Sequence, residues 1–453
     1  MSIASLQTVN FWLKRYRRVN WAVADQSVVS GVNFLTGVLL ARALGIEEFG
    51  VFALAWMAVV LLSAVQGALI ISPMMSVGPQ QTEYPAPIYY GAVVVQQLVA
   101  CILSFLLLLV AVKASALLFP NWKIEGFALP LAAAACAFQA QEFIRRYLFV
   151  QDKSALAFAN DAVKYVGQLG LLLVLFQTHS LNIERALWVI AGISALAVAG
   201  GMFSLRQVKW EQAASLRVWK RNWQFSKWLV PSALMQFAAG NLFFIAAGSF
   251  VGVAAVGAMK AAANIMGMTH VLLLGLGNVV PRTAAWWYRE GKLPALVAYL
   301  KKVALLIGLT TGIVALIAAI APRFWFSLFF GPQFADYGYV LQWLALCYLV
   351  TSMVLPVQVG LQTLEYTRPI FTARLITTIL SAVTVIPVVG SFGLLGALAG
   401  TLGSVLIFYG ILAFALFHRI RNFDPSLPCD LAGQHGVTAN RGRSASASGD
   451  KGL

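Results

Sequence analysis

The chain has 453 residues, of which 60% are hydrophobic and only 11% charged. Soluble globular proteins carry about a quarter charged residues, so a water-soluble enzyme or binding domain is excluded. The net charge of +16 does not point to nucleic acid either, because the cations sit in short links between apolar runs rather than in one basic domain.

Residues 1–20 read as a basic amphipathic lead-in, with Phe11, Trp12 and Tyr16 among Lys14, Arg15, Arg17 and Arg18. Such a segment lies on a membrane surface. Twelve apolar runs follow, at about 21–41, 49–71, 89–112, 127–148, 159–177, 186–205, 229–250, 256–279, 300–320, 339–361, 370–389 and 393–416. Each is long enough to cross a bilayer as a helix, which takes about 20 residues. The first run is longer than a signal-peptide core and lacks a convincing small-residue cleavage site, so it reads as a retained helix. The link at 206–228 alternates Trp210, Trp219, Trp223 and Trp228 with Lys and Arg. It predicts an interfacial helix, with recognition of anionic lipid headgroups as the sharper alternative. The segment 418–453 is a polar tail containing the low-complexity stretch Arg441–Gly449, which predicts disorder.

These elements make an all-α polytopic membrane protein of about twelve transmembrane helices. The expected organisation is a lead-in (1–20), a first six-helix bundle (21–205), a linker (206–228), a second six-helix bundle (229–417) and a tail (418–453). With an even number of spans both termini share one side. That side receives most of the 32 basic residues, including the clusters at Arg145–Arg146, Arg217–Arg221 and Lys301–Lys302. The asymmetry predicts cytoplasmic termini. The four cysteines and four histidines show no disulfide or metal spacing, and no phosphate-binding loop is present. No cofactor is expected. The links on the other side are too short to carry the acids, bases or metal site of a membrane enzyme.

Two segments 207 positions apart share one pattern. Gly45-Ile-Glu-Glu-Phe-Gly50 and Gly252-Val-Ala-Ala-Val-Gly257 both read Gly-aliphatic-x-x-apolar-Gly, and both join apolar runs. Leu117–Trp122 and Leu328–Gln333 repeat at an offset near 211, and Asp152 and Glu365 at 213. The chain is therefore two similar halves running in the same direction, an arrangement that places a transport site between them.

Ionisable and polar groups in a bilayer are costly, so each needs a reason. Asp25, Gln26, Ser30, Asn33 and Gly37 include a stripe on one face of the first span. It either packs against a helix or lines a wet cavity, and Asp25 either caps the helix or binds a coupling proton or sodium ion. Ser232, Gln236, Gly240 and Asn241 form a similar face on the seventh span. Lys260 stands in the second copy of the repeat where the first has Ala53, about 6 Å inside the outer end of its span at 1.5 Å per residue, with Asn264 one turn further. It either snorkels outward or faces the cavity to hold a phosphate. Glu142, Arg145 and Arg146 form helical-spaced pairs, and Asp161 and Lys164 stand one turn apart, close enough to neutralise each other. Together with Arg374, which the 213 offset places opposite Asp161, these are either structural ion pairs or a cytoplasmic point of access for an anionic headgroup.

Leu40-Ala-Arg-Ala-Leu-Gly-Ile-Glu-Glu-Phe-Gly-Val-Phe-Ala-Leu-Ala55 resembles the opening of Wzx-type polysaccharide-unit flippases of the MATE-like multidrug, oligosaccharidyl-lipid and polysaccharide exporter superfamily. Gly252–Gly257, Phe330–Ala335 and Gly393–Ala399 resemble further family features. The resemblance covers roughly residues 20–420. It implies two six-helix bundles around a central cavity, working by alternating access. It further implies movement of an undecaprenyl-pyrophosphate-linked oligosaccharide across a bacterial inner membrane, for O-antigen, capsule or exopolysaccharide. The expected cavity residues are Lys260, Asn264, Asn33, Gln236 and Asn241, with Asp25 for ion coupling and Arg145, Arg146 and Arg374 for cytoplasmic access. The expected partners are the lipid-linked sugar, membrane lipids and polysaccharide polymerase or export proteins, and the expected state is a monomer. The competing reading is a cation-coupled multidrug exporter of the MATE type, which would prefer a carboxylate-lined cavity.

Overall fold

Lipid offers a backbone no hydrogen bonds, so apolar runs in it must close their own, as helices do. The computed structural model describes residues 3–422 apart from 81, 119–121 and 123. Side chains are described from residue 26 onward, apart from those five and 213, 270–272, 274, 275 and 278. The side chains of the lead-in, that of Asp25, and the tail from 423 lie outside the described residues.

Among the described residues the chain is helical throughout. In order come α1 (Ile3–Gln66), a π-helical turn (Gly67–Ile71), α2 (Ser72–Ser76), α3 (Ala86–Leu118), α4 (Ala128–Val150), α5 (Ser154–Gln177) and α6 (Ile183–Met202). The amphipathic α7 (Gln212–Ser226) leads to α8 (Leu229–Phe250), α9 (Val253–Met266), α10 (Met268–Ile320), α11 (Pro322–Phe330), α12 (Gly338–Thr363) and α13 (Arg368–Arg421). Eight helical stretches are long and apolar enough to cross a membrane, and α9 is a shorter apolar helix. Three of the eight break at one residue: Gly45 (φ 77°), Lys292 (φ 54°) and Gly393 (φ 57°). With α5, which is of spanning length but interrupted by Asp161 and Lys164, and with α9 running on into the first arm of α10, the helical legs number twelve among the described residues.

The repeat is realised in backbone conformation. Gly45 and Gly252 both have positive φ, 77° and 124°, which glycine reaches without Cβ strain. Asp152 and Glu365 are also equivalent. Each stands just past a helix with positive φ, 59° and 55°. Lys153 N donates to Leu148 O, and Tyr366 N to Leu361 O, the same backward bond in each half. This is the left-handed termination of a helix, here without its usual glycine.

The halves share one core at the end where Gly45 and Gly252 lie, called here the link end. Phe49, Phe52 and Leu54 of the first half join Phe244, Val256 and Met259 of the second in it. Phe34 meets Phe329 edge-on at 5.4 Å, and Phe49 meets Phe334 at 6.4 Å. Outside this core, faces such as Leu98, Ile102 and Leu106 of α3 are more than half exposed, as a lipid-facing surface is.

Candidate functional site

The two Gly-x-x-x-x-Gly links pack against each other. A Cβ on Gly50 would strike the carbonyl of Val253, and one on Gly257 would strike the carbonyl of Ile46. The contact is reciprocal, because Ile46 and Val253 are themselves equivalent. A second reciprocal layer surrounds it. Trp122 Nε1 donates to Gly248 O (3.2 Å), just before the second link. Its equivalent, Gln333, lies against Gly45 of the first. One contact has no counterpart: the Arg42 guanidinium of α1 donates to the carbonyls of Phe329 (2.7 Å) and Leu328, at the end of α11. Ser249 stands at the equivalent place in the second half. Arg42 thus ties the halves together at the link end, and it neutralises the negative end of a helix dipole.

Away from the link end this seam stays closed for three turns and then opens. Val253, Gly257, Lys260 and Asn264 follow at spacings of 4, 3 and 4, so they share one face of α9. Three of the four touch α1: Val253 at Gly50, Gly257 at Ile46, and Asn264 at Gly37 with its Nδ2 donating to Phe34 O (3.1 Å). Lys260, between them, therefore faces α1. It is half-buried and has no hydrogen bond or ion pair among the described residues. On α1 the face that carries Gly37 continues to Asn33, Ser30 and Gln26. Gly37 is occupied by Asn264, whereas Asn33 is exposed and its equivalent Gly240 on α8 is exposed too. Beyond the Asn264 contact, both equivalent positions are therefore uncovered.

Lys260 lies deeper than its sequence position suggests. The eighth leg starts at Val253, straight after the Gly252 turn, so the lysine is seven residues in, about 10 Å at 1.5 Å per residue. On the polar stripe of α1, Gly37 packs against Asn264 and Asn33 is exposed. Asn264 seals the seam as well as lying beside Lys260. Gln236 is exposed on α8, while Asn241 is half-buried and donates back to Phe237 O of its own helix (2.9 Å). Gln26 Nε2 donates to Ser30 Oγ (3.1 Å).

The acidic and basic residues of α4 and α5 form a buried network inside the first bundle. Glu142 pairs with Arg145 (3.4 Å) and Arg146 (2.7 Å), as the helical spacing predicts. Asp161 and Lys164 are linked through Gln141. Asp161 pairs with Arg145 across the helices (2.5 Å). Lys164 Nζ donates to Gln141 Oε1 (2.6 Å) and lies over the Phe138 ring at 3.9 Å. Gln141 Nε2 in turn donates to Asp161 Oδ1 (2.7 Å), and Asn160 Nδ2 to Ala197 O (2.6 Å). Asp161 and Lys164 are each 1% exposed. The three cations expected to act together are separated in kind: Arg145 is buried in this network, Arg146 stays on Glu142 at its edge, and Arg374 stacks over Phe408 of the neighbouring leg, past the Gly393 break, in the other bundle (4.2 Å). Sequence reasoning missed Gln141, Asn160 and the Gln66–Gln97 pair (2.9 Å). The available signal was the density of glutamines in spans two to four, namely Gln66, Gln96, Gln97, Gln139 and Gln141.

No protein-family model and no curated protein matches the sequence. Solved structures do match the fold. An inward-facing multidrug resistance MATE family transporter of the MOP superfamily is similar over 87% of this chain and 94% of its own, with 15% identity and a TM-score of 0.68. A MOP superfamily transporter from Pyrococcus furiosus, with a binding pocket described as of reverse polarity, is similar over 89% and 95%, with 14% identity and a TM-score of 0.62. The lipid II flippase MurJ in an inward closed conformation is similar over 89% and 90%, with 12% identity and a TM-score of 0.60. At these identities the likeness is one of fold. The chain is a multi-pass membrane protein with the MATE-like fold of MOP superfamily transporters.

Proposed function

We propose that this protein is an alternating-access flippase that moves a polyprenyl-pyrophosphate-linked oligosaccharide across the bacterial inner membrane for surface polysaccharide assembly. The observation that carries the reading is Lys260. It is a half-buried ammonium on the face of α9 turned toward α1, without a counter-ion among the described residues. A cation in such a place is costly unless an anion meets it, and a pyrophosphate is the anion that a lipid-linked sugar would bring. Its equivalent in the first half, Ala53, is 2% exposed in the apolar core, so the charge is no requirement of the repeat. The closed link end and the uncovered Asn33 and Gly240 support a state open toward the side of the termini. The basic residues of the links support that side being cytoplasmic. Asp25 would then stand near the mouth of the cleft, as the candidate for coupling to a proton or sodium gradient.

Deletion of the gene in a polysaccharide-producing host tests this. Loss of surface polymer with accumulation of lipid-linked repeat units on the cytoplasmic side is expected, and the wild-type gene restores export. The fold of the multidrug relatives supports a second reading, cation-coupled drug export. A deletion strain that retains ethidium and keeps its surface polymer would favour that reading. For Asp25→Asn, transport unchanged across imposed proton and sodium gradients removes the coupling role.

A further inference from the structure

Helix α7 is held on the first bundle by one face and leaves a crevice beside it. Ala214, Val218, Asn222 and Ser226 recur every four residues and are all at most 2% exposed. Asn222 Nδ2 donates to Gln96 Oε1 of α3 (3.1 Å), and the Ser226 hydroxyl to Leu69 O of the π-helical turn (3.4 Å). Next to this buried face, Trp219 and Trp223 overhang a cavity of about 110 Å³ whose other walls include Ile70, Gln96, Val99 and Leu103. The walls are almost wholly apolar. The exceptions are the amides of Asn222 and Gln96, and Gln96 Nε2 is buried with no acceptor among the described residues.

The two flanks of α7 differ in charge compensation. On the far flank Arg221 pairs with Glu83 (3.7 Å), and Arg217 lies over Tyr84 (5.6 Å). Past the crevice flank, at about 100° of rotation per residue, Lys220 and the C-cap residue Lys227 follow Trp219 and Trp223 on the face turned away from the bundle. Both lysines are exposed and have no acidic partner among the described residues. An apolar slot below two uncompensated ammonium groups, with tryptophans at its rim, is complementary to a hydrocarbon chain that ends in a negative headgroup. From Gln96 to Leu103 the α3 wall is about 10 Å long at 1.5 Å per residue. That length takes the upper part of an ordinary acyl chain and only a small fraction of a polyprenyl tail.

We propose that the crevice between α3, α7 and the π-helical turn is a binding site for an anionic phospholipid of the surrounding leaflet, with one acyl chain in the slot and the phosphate on Lys220 and Lys227. The site is separate from the inter-bundle seam and does not depend on what the protein transports. The test is native mass spectrometry of the full-length detergent-solubilised protein, titrated with dioleoylphosphatidylglycerol, dioleoylphosphatidylcholine or undecaprenyl phosphate. The wild type is expected to retain one phosphatidylglycerol at least tenfold more tightly than phosphatidylcholine. The double variant Lys220→Gln/Lys227→Gln, which alters only exposed side chains, is expected to lose that preference. Ala100→Trp, which fills the slot, is expected to weaken the first binding event at least fivefold, whereas Leu106→Trp on the exposed face of the same helix leaves it unchanged. Equal binding of the two phospholipids by the wild type, or an undiminished preference in the lysine variant, overturns the proposal. Tighter retention of undecaprenyl phosphate at the same site overturns the assignment to a phospholipid.

Discussion

Gly50 and Gly257 lie back to back at the link end, each under the first turn of the other half's link. The carbonyls of Val253 and Ile46 occupy the space that a Cβ on either glycine would need. The pairing turns a sequence repeat into a structural contact, since the halves meet through equivalent backbone. Either glycine changed to alanine forces the backbones apart. The expected cost to the link-closed form is about 1–3 kcal/mol. Thermal unfolding of purified Gly50→Ala and Gly257→Ala checks it. The two substitutions are expected to be less than additive, because the first already opens the shared contact.

Arg42 stabilises the closed link end from one side only. Its exposed guanidinium meets the carbonyls of Leu328 and Phe329. Solvent exposure limits such a contact to about 0.5–1 kcal/mol, which corresponds to a two- to fivefold shift in population. Spin labels at Lys113 and Ile320, in a background without other cysteines, read the separation of the halves at that end. Arg42→Ala is expected to enlarge the long-distance population by that factor, and Arg42→Lys to enlarge it less.

The Arg145–Asp161 pair is buried, with side chains 10% and 2% exposed. Removing one partner strands the other charge, which costs about 3–5 kcal/mol, whereas replacing both by apolar groups costs much less. Arg145→Leu and Asp161→Leu are each expected to lower the melting temperature strongly, and the double variant to recover most of the loss. Equal destabilisation by single and double variants would show that the network matters through its other members, Glu142 and Gln141.

Asp152 and Glu365 hold left-handed conformations that glycine adopts more easily. Glu365→Gly is expected to stabilise the protein, by up to about 1 kcal/mol, with transport unchanged. A thermal-shift measurement decides it, and a fall in melting temperature would mean that the Glu365 side chain contributes more than the strain costs.

Much of this architecture is legible in the residues. Hydropathy finds the twelve legs because lipid forces each apolar run to be one helix, and the paired glycines find the two halves because a left-handed turn needs glycine at the same place in each. Equivalence is not proximity, however. Nothing in the Gly45 and Gly252 patterns says that the copies touch, and nothing around Arg42 distinguishes an inter-bundle tie from an ordinary interfacial cation. The spacing of Glu142, Arg145 and Arg146 gives their local pairs correctly. The same logic applied to Asp161 and Lys164 is incomplete, because α4 adds a guanidinium at 2.5 Å for Asp161 and an amide oxygen and an aromatic face for Lys164. Tertiary partners override helical neighbours when burial makes every charge demand the best one. Lys260 lies deeper than hydropathy indicates for a smaller reason: the hydropathy window places the helix start at 256, whereas the Gly252 turn places it at Val253.

The central claim is that Lys260 receives the anionic group of the transported lipid in the seam between the halves. The most direct measurement is the rate of movement of a fluorescent polyprenyl-pyrophosphate-linked sugar across proteoliposomes containing the full-length protein. Loss of one charge-assisted contact, worth about 1.5–3 kcal/mol, predicts that Lys260→Ala slows transport roughly 10- to 150-fold while the protein stays folded, and that Lys260→Arg retains most of the rate. A wild-type rate in Lys260→Ala would contradict the account.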